Sequence, residues 1–104
     1  MKRAIANAAA EAIDIWRKGV RAAVVITAGF SEAGPEGKVL EHTLHENARR
    51  HGVRLIGPNC LGLLRPALGL NAAFARADAL PGSLGLISQS GAVCAAMLDW
   101  ALPQ

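Results

Sequence analysis

Two short apolar stretches, AAVVIT at residues 22–27 and VRLI at residues 53–56, decide the fold of this chain. Both are rich in β-branched or aliphatic residues, which is typical of strands. Between them, residues 36–51 read as an amphipathic helix, with Gly52 as its stop signal. The inner stripe of that helix is Val39, Leu40, Leu44 and Ala48. The order strand, helix, strand predicts a parallel α/β sheet whose first strand is buried on both faces.

The flanking segments add further predicted elements. An amphipathic helix is predicted over residues 3–18, and two short extended pieces over 61–64 and 70–75, with a turn near Pro66 and Gly69. A third strand is predicted at 84–88, followed by a helix over 91–101. Almost all faces of this helix are apolar, so we expect it to be buried. One strand and one helix cannot bury that helix alone. This helix must therefore pack on the preceding domain, dimerise or expose a sizeable apolar surface, and we expect a marginal monomer or a homo-oligomer.

Composition excludes several classes of protein. The chain has 104 residues, of which 52% are hydrophobic, 18% charged and only 4% aromatic, so it is not a disordered segment. The net charge of +3 comes from scattered basic residues, and few aromatics are available to stack on bases, so no nucleic-acid partner is expected. The uncharged stretch 79–98 contains too many Gly, Pro and polar residues for a membrane span. Cys60 and Cys94 lie in apolar settings, which favours reduced thiols and a cytoplasmic location.

Small, polar or glycine-bearing turns follow all three predicted strands, at residues 27–29, 57–62 and 88–92. Ligands of parallel sheets bind at the carboxyl ends of the strands, and glycine lets them approach the backbone. Such turns also need Gly and Ser simply for turn geometry and helix capping. The third turn is the strongest candidate for a binding site, because free N–H groups at the start of the following helix can hold an anion or phosphate. Ser90 can be an N-cap, a phosphate ligand or both.

Five motifs occur together in this chain: VITAGFSE at 25–32, LIGPNCLG at 55–62, LNAAF at 70–74, LISQSGAVC at 86–94 and MLDWA at 97–101. In this order they resemble the α-type part of the NDP-forming acyl-CoA synthetases, the superfamily of succinyl-CoA synthetase. The chain is most similar to the ADP-forming acetate–CoA ligases and to the ligase-like region of protein lysine acetyltransferases. The resemblance implies acid–thiol ligation with CoA and ADP/ATP, through an acyl phosphate and a phosphohistidine.

The resemblance also implies a division of the chain. Residues 1–76 would be the C-terminal part of a Rossmann-like CoA-binding domain, and residues 77–83 a linker. Residues 84–104 would then begin a flavodoxin-like, succinyl-CoA-synthetase-like ligase domain with its first strand–helix unit. Ala95 stands where succinyl-CoA synthetases carry a substrate-site tyrosine, so the acid is not expected to be succinate.

Carried over by motif, the resemblance implies eight binding residues and no catalytic residue in this chain. The residues placed against CoA are Ile26, Thr27, Ala28, Asn59 and Cys60, the last two near its thiol end. The residues placed on phosphate are Ser90, Gly91 and Ala92. As a nucleophile, Cys60 would need a nearby base that the sequence does not place, so we favour a small buried residue or a CoA neighbour. Cys94 is expected in the core.

The departures from the family pattern limit what this chain is expected to do. The sequence contains no Gly-rich diphosphate loop, and none of His42, His45 and His51 matches the catalytic histidine. Binding of ADP/ATP and Mg²⁺ would depend on parts of the family architecture that the chain lacks. His42 and His45, with Glu46, have a spacing that could serve a metal, but we expect a solvated helix face and no metal site.

We therefore predict a fragment of an acyl-CoA synthetase that is inactive alone and binds CoA or phosphate weakly. A complementing ligase subunit or a second copy would be its protein partner. Two alternatives remain open at this point. The chain could be a stand-alone module that binds CoA or another phosphorylated ligand, or a truncated remnant with no function.

Overall fold

The computed structural model describes residues 18–76 and 78–101. The helix predicted over residues 3–18 lies, apart from its last residue, outside the described part. The described elements, in chain order, are strand β1 (Ala22–Val24), helix α1 (Pro35–Arg50), strands β2 (Arg54–Ile56), β3 (Gly62–Arg65) and β4 (Leu70–Ala73), and helix α2 (Gly91–Trp100). Short 3-10 turns lie at Ser31–Ala33 and Pro66–Leu68.

The first two strands form the parallel pair that the sequence predicts. β1 lies beside β2 with Ala23 opposite Leu55, and α1 connects them. The ladder continues one residue past β1, where the Val25 N–H donates to the Ile56 carbonyl over 2.8 Å. β1 is nevertheless shorter than the predicted 22–27 strand, because β2 ends at Ile56 and a turn, not a strand, lies beside the residues that follow β1. The parallel α/β architecture is confirmed.

Helix α1 begins and ends with recognisable signals. Gly34 precedes it and Pro35 occupies the first turn, where its missing N–H costs no helical hydrogen bond. Arg49 and Arg50 lie in the last turn, where cations interact favourably with the helix dipole. Helix α1 thus begins and ends one residue earlier than predicted.

A small core joins α1 to the parallel pair. Ala48 and Val53 are buried, and Ala23, Leu44 and Leu55 pack against them while staying half-buried. Two details of the prediction are wrong. Val39 is 66% exposed rather than part of the inner stripe, because two strands are too narrow to cover the whole apolar face. β1 is only half-buried rather than buried on both faces, since the described residues do not cover its second face.

The two extended pieces predicted after the parallel pair form an antiparallel hairpin. β3 pairs with β4, with Leu63 opposite Ala72. The connection contains the 3-10 turn Pro66–Leu68 and Gly69 in the left-handed region, which agrees with the predicted turn. Beyond the hairpin, the Phe74 N–H donates to the Leu61 carbonyl over 2.7 Å. The hairpin therefore places Phe74 beside the turn that follows β2.

The last predicted strand–helix unit is only half formed. Residues 84–88 are not a strand, which corrects the prediction, because no described strand lies beside them to complete a ladder. Ile87 is fully exposed, at 100%. Helix α2 forms where predicted, but none of its residues is buried and Cys94 is half-buried rather than in the core. In the described chain α2 leaves apolar surface exposed, and the marginal monomer or homo-oligomer stays a prediction.

Among the helices in the described part of the chain, none is long and apolar enough to cross a membrane.

Candidate functional site

A cleft of about 390 Å³ lies where the chain segments that follow β1, β2 and β4 meet the start of α2. Its lining residues are Ile26, Asn59, Cys60, Leu61, Phe74, Gln89 and Gly91. Four of these, Ile26, Asn59, Cys60 and Gly91, are residues for which the sequence predicts a binding role. The turns at 57–62 and 88–92 thus contribute residues to this cleft, and Ile26 directly precedes the turn at 27–29.

Backbone hydrogen bonds hold the turn after β2 across the end of β1. The Asn59 N–H donates to the Thr27 carbonyl over 3.0 Å. The Cys60 thiol donates to the Val25 carbonyl, with the sulfur 3.4 Å from the oxygen. The acceptors in both contacts are backbone carbonyls just beyond β1. They fix the positions of Asn59 and Cys60 relative to Ile26, so one wall of the cleft is preformed.

Gly57 makes this close crossing possible. Its φ of +93° lies in the region that L side chains rarely adopt. A Cβ at this position would overlap the Val25 carbonyl oxygen and lie 2.9 Å from the Cys60 sulfur. The following peptide to Pro58 is cis, and Asn59 has a φ of +50°, which asparagine tolerates better than most residues. A larger residue than glycine would push the turn away from β1.

The remaining predicted residues lie near the cleft without lining it. Thr27 and Ala28 are exposed beyond the end of β1, and Thr27 is tied to the site by its carbonyl. Ser90 and Ala92 are exposed on either side of Gly91. The binding roles of these residues stay predictions.

Sequence reasoning did not assign Leu61, Phe74 and Gln89 to the site. Leu61 and Gln89 are next in the chain to Cys60 and Ser90, which have predicted binding roles. That proximity could have indicated a place for them in the site. Phe74 belongs to the LNAAF motif, for which no binding role is predicted. The β3–β4 hairpin and its hydrogen bond to Leu61 bring this exposed ring to the cleft.

Ser90 caps helix α2, as predicted. Its Oγ accepts a hydrogen bond from the Val93 N–H over 3.3 Å, and its backbone is extended. Its own N–H donates to the Ser88 Oγ over 3.0 Å. The cap orients the first turn of the helix, whose Gly91 lies at the cleft. A phosphate-binding role for Ser90 stays a prediction.

Replacing Ser90 with alanine is expected to destabilise α2 by about 1 kcal/mol, because the Val93 N–H loses its acceptor. Amide hydrogen exchange of Val93 should accelerate about fivefold, which corresponds to this free energy. Ser83→Ala, which removes an exposed hydroxyl before the helix, is the matched control and should leave the exchange unchanged. Equal rates in the two variants would contradict the capping role.

Comparisons with known proteins identify the relatives of this chain. No established protein-family profile matches it. It is 51% identical over 84 residues to an ADP-forming acetate–CoA ligase I of Archaeoglobus fulgidus, covering 81% of this chain and 12% of the relative. It is 46% identical over 86 residues to the α subunit of the ADP-forming acetate–CoA ligase I of Pyrococcus furiosus, covering 83% of this chain and 19% of that subunit. The chain is homologous to a segment of the ADP-forming acyl-CoA ligases.

Solved structures show the same similarity. A crystal structure of a Pyrococcus horikoshii protein superimposes with a TM-score of 0.80 at 45% identity, over 85% of this chain and 20% of that one. An acetyl-CoA synthetase of Candidatus Korarchaeum cryptofilum, solved in complex with phosphate and ADP, gives 0.74 at 44% identity, over 85% of this chain and 19% of that one. The chain thus spans a fifth or less of the length of these relatives.

The side chains at the cleft are uncharged. None of the lining residues carries a formal charge, and the three histidines of the chain are not among them. His42 and His45 are exposed on α1, and the His45 Nε2 lies 3.9 Å from the Glu41 Oε1. In residues 18–76 and 78–101, no group of His, Cys, Asp and Glu side chains is arranged to hold a metal ion.

Proposed function

We propose that this chain supplies a CoA-binding segment of an ADP-forming acyl-CoA ligase, and that it does not complete the ligation by itself. The observation that carries the proposal is the cleft, which brings Ile26, Asn59 and Cys60 together with the start of α2. The family motifs that contain these residues are far apart in the sequence. Their convergence on one cleft is what a shared ligand requires.

The chemistry of the lining matches the thiol-bearing arm of CoA. This arm alternates short alkyl segments with two amides and ends in a thiol. Ile26, Leu61 and Phe74 offer apolar surface to the alkyl segments, and the side-chain amides of Asn59 and Gln89 can pair with the amides of the arm. The positive end of the α2 dipole favours an anionic phosphate or acyl phosphate near Gly91.

The parts of the reaction that involve ADP and a phosphohistidine would lie in other segments. The Korarchaeum relative is described in complex with phosphate and ADP, and this chain spans 19% of it. The Pyrococcus furiosus relative is named as a subunit, which makes a complementing ligase subunit a suitable partner. A second copy of this chain is the other partner we consider. The unpaired state of Cys60 and Cys94 is what a reducing compartment such as the cytoplasm would maintain.

Within this proposal, residues 1–76 belong to the CoA-binding domain and residues 84–104 to the start of the ligase domain. The intervening linker is proposed at 77–83. The absence of a helix or strand from residues 78–83 in the described structure supports a boundary there.

A direct test combines binding and turnover with the 104-residue chain. Titration calorimetry with CoA should give a dissociation constant on the order of 0.1–1 mM, since only part of the ligand is contacted. Incubation with acetate, CoA, ATP and Mg²⁺ should yield no acetyl-CoA. No binding at millimolar CoA would reject the binding role, and robust acetyl-CoA formation would reject the incomplete-ligase role.

The same titration tests the alternative of a stand-alone binding module, which the preformed wall of the cleft favours. Such a module would bind CoA in the micromolar range without a partner. Inorganic phosphate as competitor would show whether the anion site at α2 contributes.

A further inference from the structure

Three consecutive backbone N–H groups in the loop after β1 all donate to carboxylates. The N–H groups of Gly29 and Phe30 donate to the Oε1 of Glu32, the latter over 3.2 Å. The Ser31 N–H donates to the Oε2 of Glu41 over 3.0 Å. Two carboxylates thus satisfy three successive N–H groups of the loop. Here one carboxylate comes from the loop itself and the other from helix α1.

The backbone of the same loop lies in close contact with the first turn of α1. Gly37 is buried, and a Cβ at this position would overlap the Phe30 carbonyl group. That carbonyl also accepts the Ala33 N–H over 2.8 Å. The loop is therefore held by a close backbone approach on one side and by two carboxylates on the other.

This loop directly follows the segment that the proposed function places against CoA. On one side of the Thr27–Ala28 segment, the Thr27 carbonyl accepts the Asn59 N–H of the cleft wall. On its other side, Gly29 is held by Glu32. The position of this exposed segment relative to the cleft thus depends on both attachments.

We propose that Glu32 and Glu41 are positioning residues for the ligand: by accepting the N–H groups of residues 29–31, they hold Thr27 and Ala28 at the mouth of the cleft. This inference rests on the proposed CoA-binding function. Neither carboxylate lines the cleft, so both act through the loop. Their effect is to order the loop before the ligand arrives, which lowers the entropic cost of binding.

The charge state of the two carboxylates predicts a pH dependence. Hydrogen bonds from the backbone, led by that of Gly29, hold the pKa of Glu32 below its usual value of 4.5. The hydroxyl and N–H of Ser31 lower the pKa of Glu41, with a further contribution from His45 and an opposing one from the charge of Glu32. A lowered pKa means that the stabilisation is present above about pH 4.5 and is lost as the pH falls through the lowered value.

The test compares Glu32→Gln with Glu46→Gln in the 104-residue chain. Glu46 pairs with Arg49 over 2.9 Å on α1 and makes none of the described contacts with the loop. Glu46→Gln therefore removes the same charge as Glu32→Gln without affecting the loop, and serves as the control. At pH 7 we expect Glu32→Gln to bind CoA about fivefold more weakly than Glu46→Gln, because a charge-assisted acceptor is replaced by a neutral one. The ratio of the two dissociation constants cancels the titration of CoA itself. It should stay constant from pH 7 to 5 and decrease below pH 4.5.

The outcomes separate this inference from the proposed function. If Glu32→Gln lowers the melting temperature while the ratio of dissociation constants stays at one, the carboxylate is merely structural and the inference is overturned. If Glu46→Gln does not bind CoA, the proposed function fails, and the inference fails with it. Should Glu32→Gln not fold, Glu41→Gln neutralises the acceptor of the Ser31 N–H, together with the carboxylate beside His45, and supports the same comparison.

Discussion

Replacing Gly57 with alanine should destabilise the chain by about 2–4 kcal/mol, a large effect for a single methyl group. Two costs combine at this position. The backbone has a φ of +93°, which L residues rarely adopt, and the new Cβ would overlap the Val25 carbonyl oxygen. To avoid this overlap the turn after β2 must move away from β1, which breaks the hydrogen bonds of Asn59 to Thr27 and of Cys60 to Val25. Urea unfolding followed by circular dichroism measures the change.

Gly52→Ala is the control that separates these two costs. Gly52 also has a positive φ, +66°, but no atom lies within 4 Å of a Cβ built there. Its replacement should therefore cost only the conformational penalty of about 1–2 kcal/mol. Equal destabilisation by the two variants would contradict the close approach at Gly57. If the turn carries the cleft wall, Gly57→Ala should also weaken CoA binding, and Gly52→Ala should not.

Replacing Ile26 with glutamate should weaken CoA binding at least about tenfold, or about 1.4 kcal/mol. The side chain is 42% exposed and lines the cleft, so the substitution places a carboxylate where a polyanionic ligand is proposed to bind. Both the charge repulsion and the loss of apolar contact oppose binding. Because the side chain is partly exposed already, the fold should tolerate the change. Titration calorimetry with CoA at fixed ionic strength measures the effect.

Leu68→Glu provides the matched control for charge. Leu68 is 68% exposed on the 3-10 turn of the β3–β4 hairpin and does not line the cleft. The same change in net charge at this position should alter the CoA affinity by less than about twofold. Equal weakening by both glutamates would point to the overall charge rather than the cleft. Unchanged binding in Ile26→Glu would exclude Ile26 from the ligand site.

Local sequence signals predicted most of the elements correctly. The β-branched run at 22–27, the periodic helix ending before Gly52 and the VRLI strand correspond to β1, α1 and β2. The helix after Ser90 also begins where predicted, because a capping hydroxyl acts within one turn of its own position. These signals depend on neighbours in the chain, which a single sequence contains.

Predictions that depended on neighbours in space were less accurate. The run at 84–88 has the composition of a strand, but a strand exists only when another strand satisfies its backbone groups, and the described residues supply none. Val39 has the spacing of a core residue, yet the sheet does not reach it. Phe74 joined the site only through a hairpin hydrogen bond between residues 13 positions apart.

By itself, the sequence determined the order of strands and helices, the glycine- and serine-bearing turns and the family motifs that they contain. Periodicity, turn chemistry and capping are local and can be read along the chain. Only the tertiary structure decided that Ile26, Cys60 and Gly91 line one cleft, and that Glu32 and Glu41 share the loop beside it. Those arrangements depend on the crossing of the Gly57 turn over β1 and on the packing of the loop at Gly37. Both are contacts between backbone atoms, and the spacing of side chains along a sequence does not encode such distances.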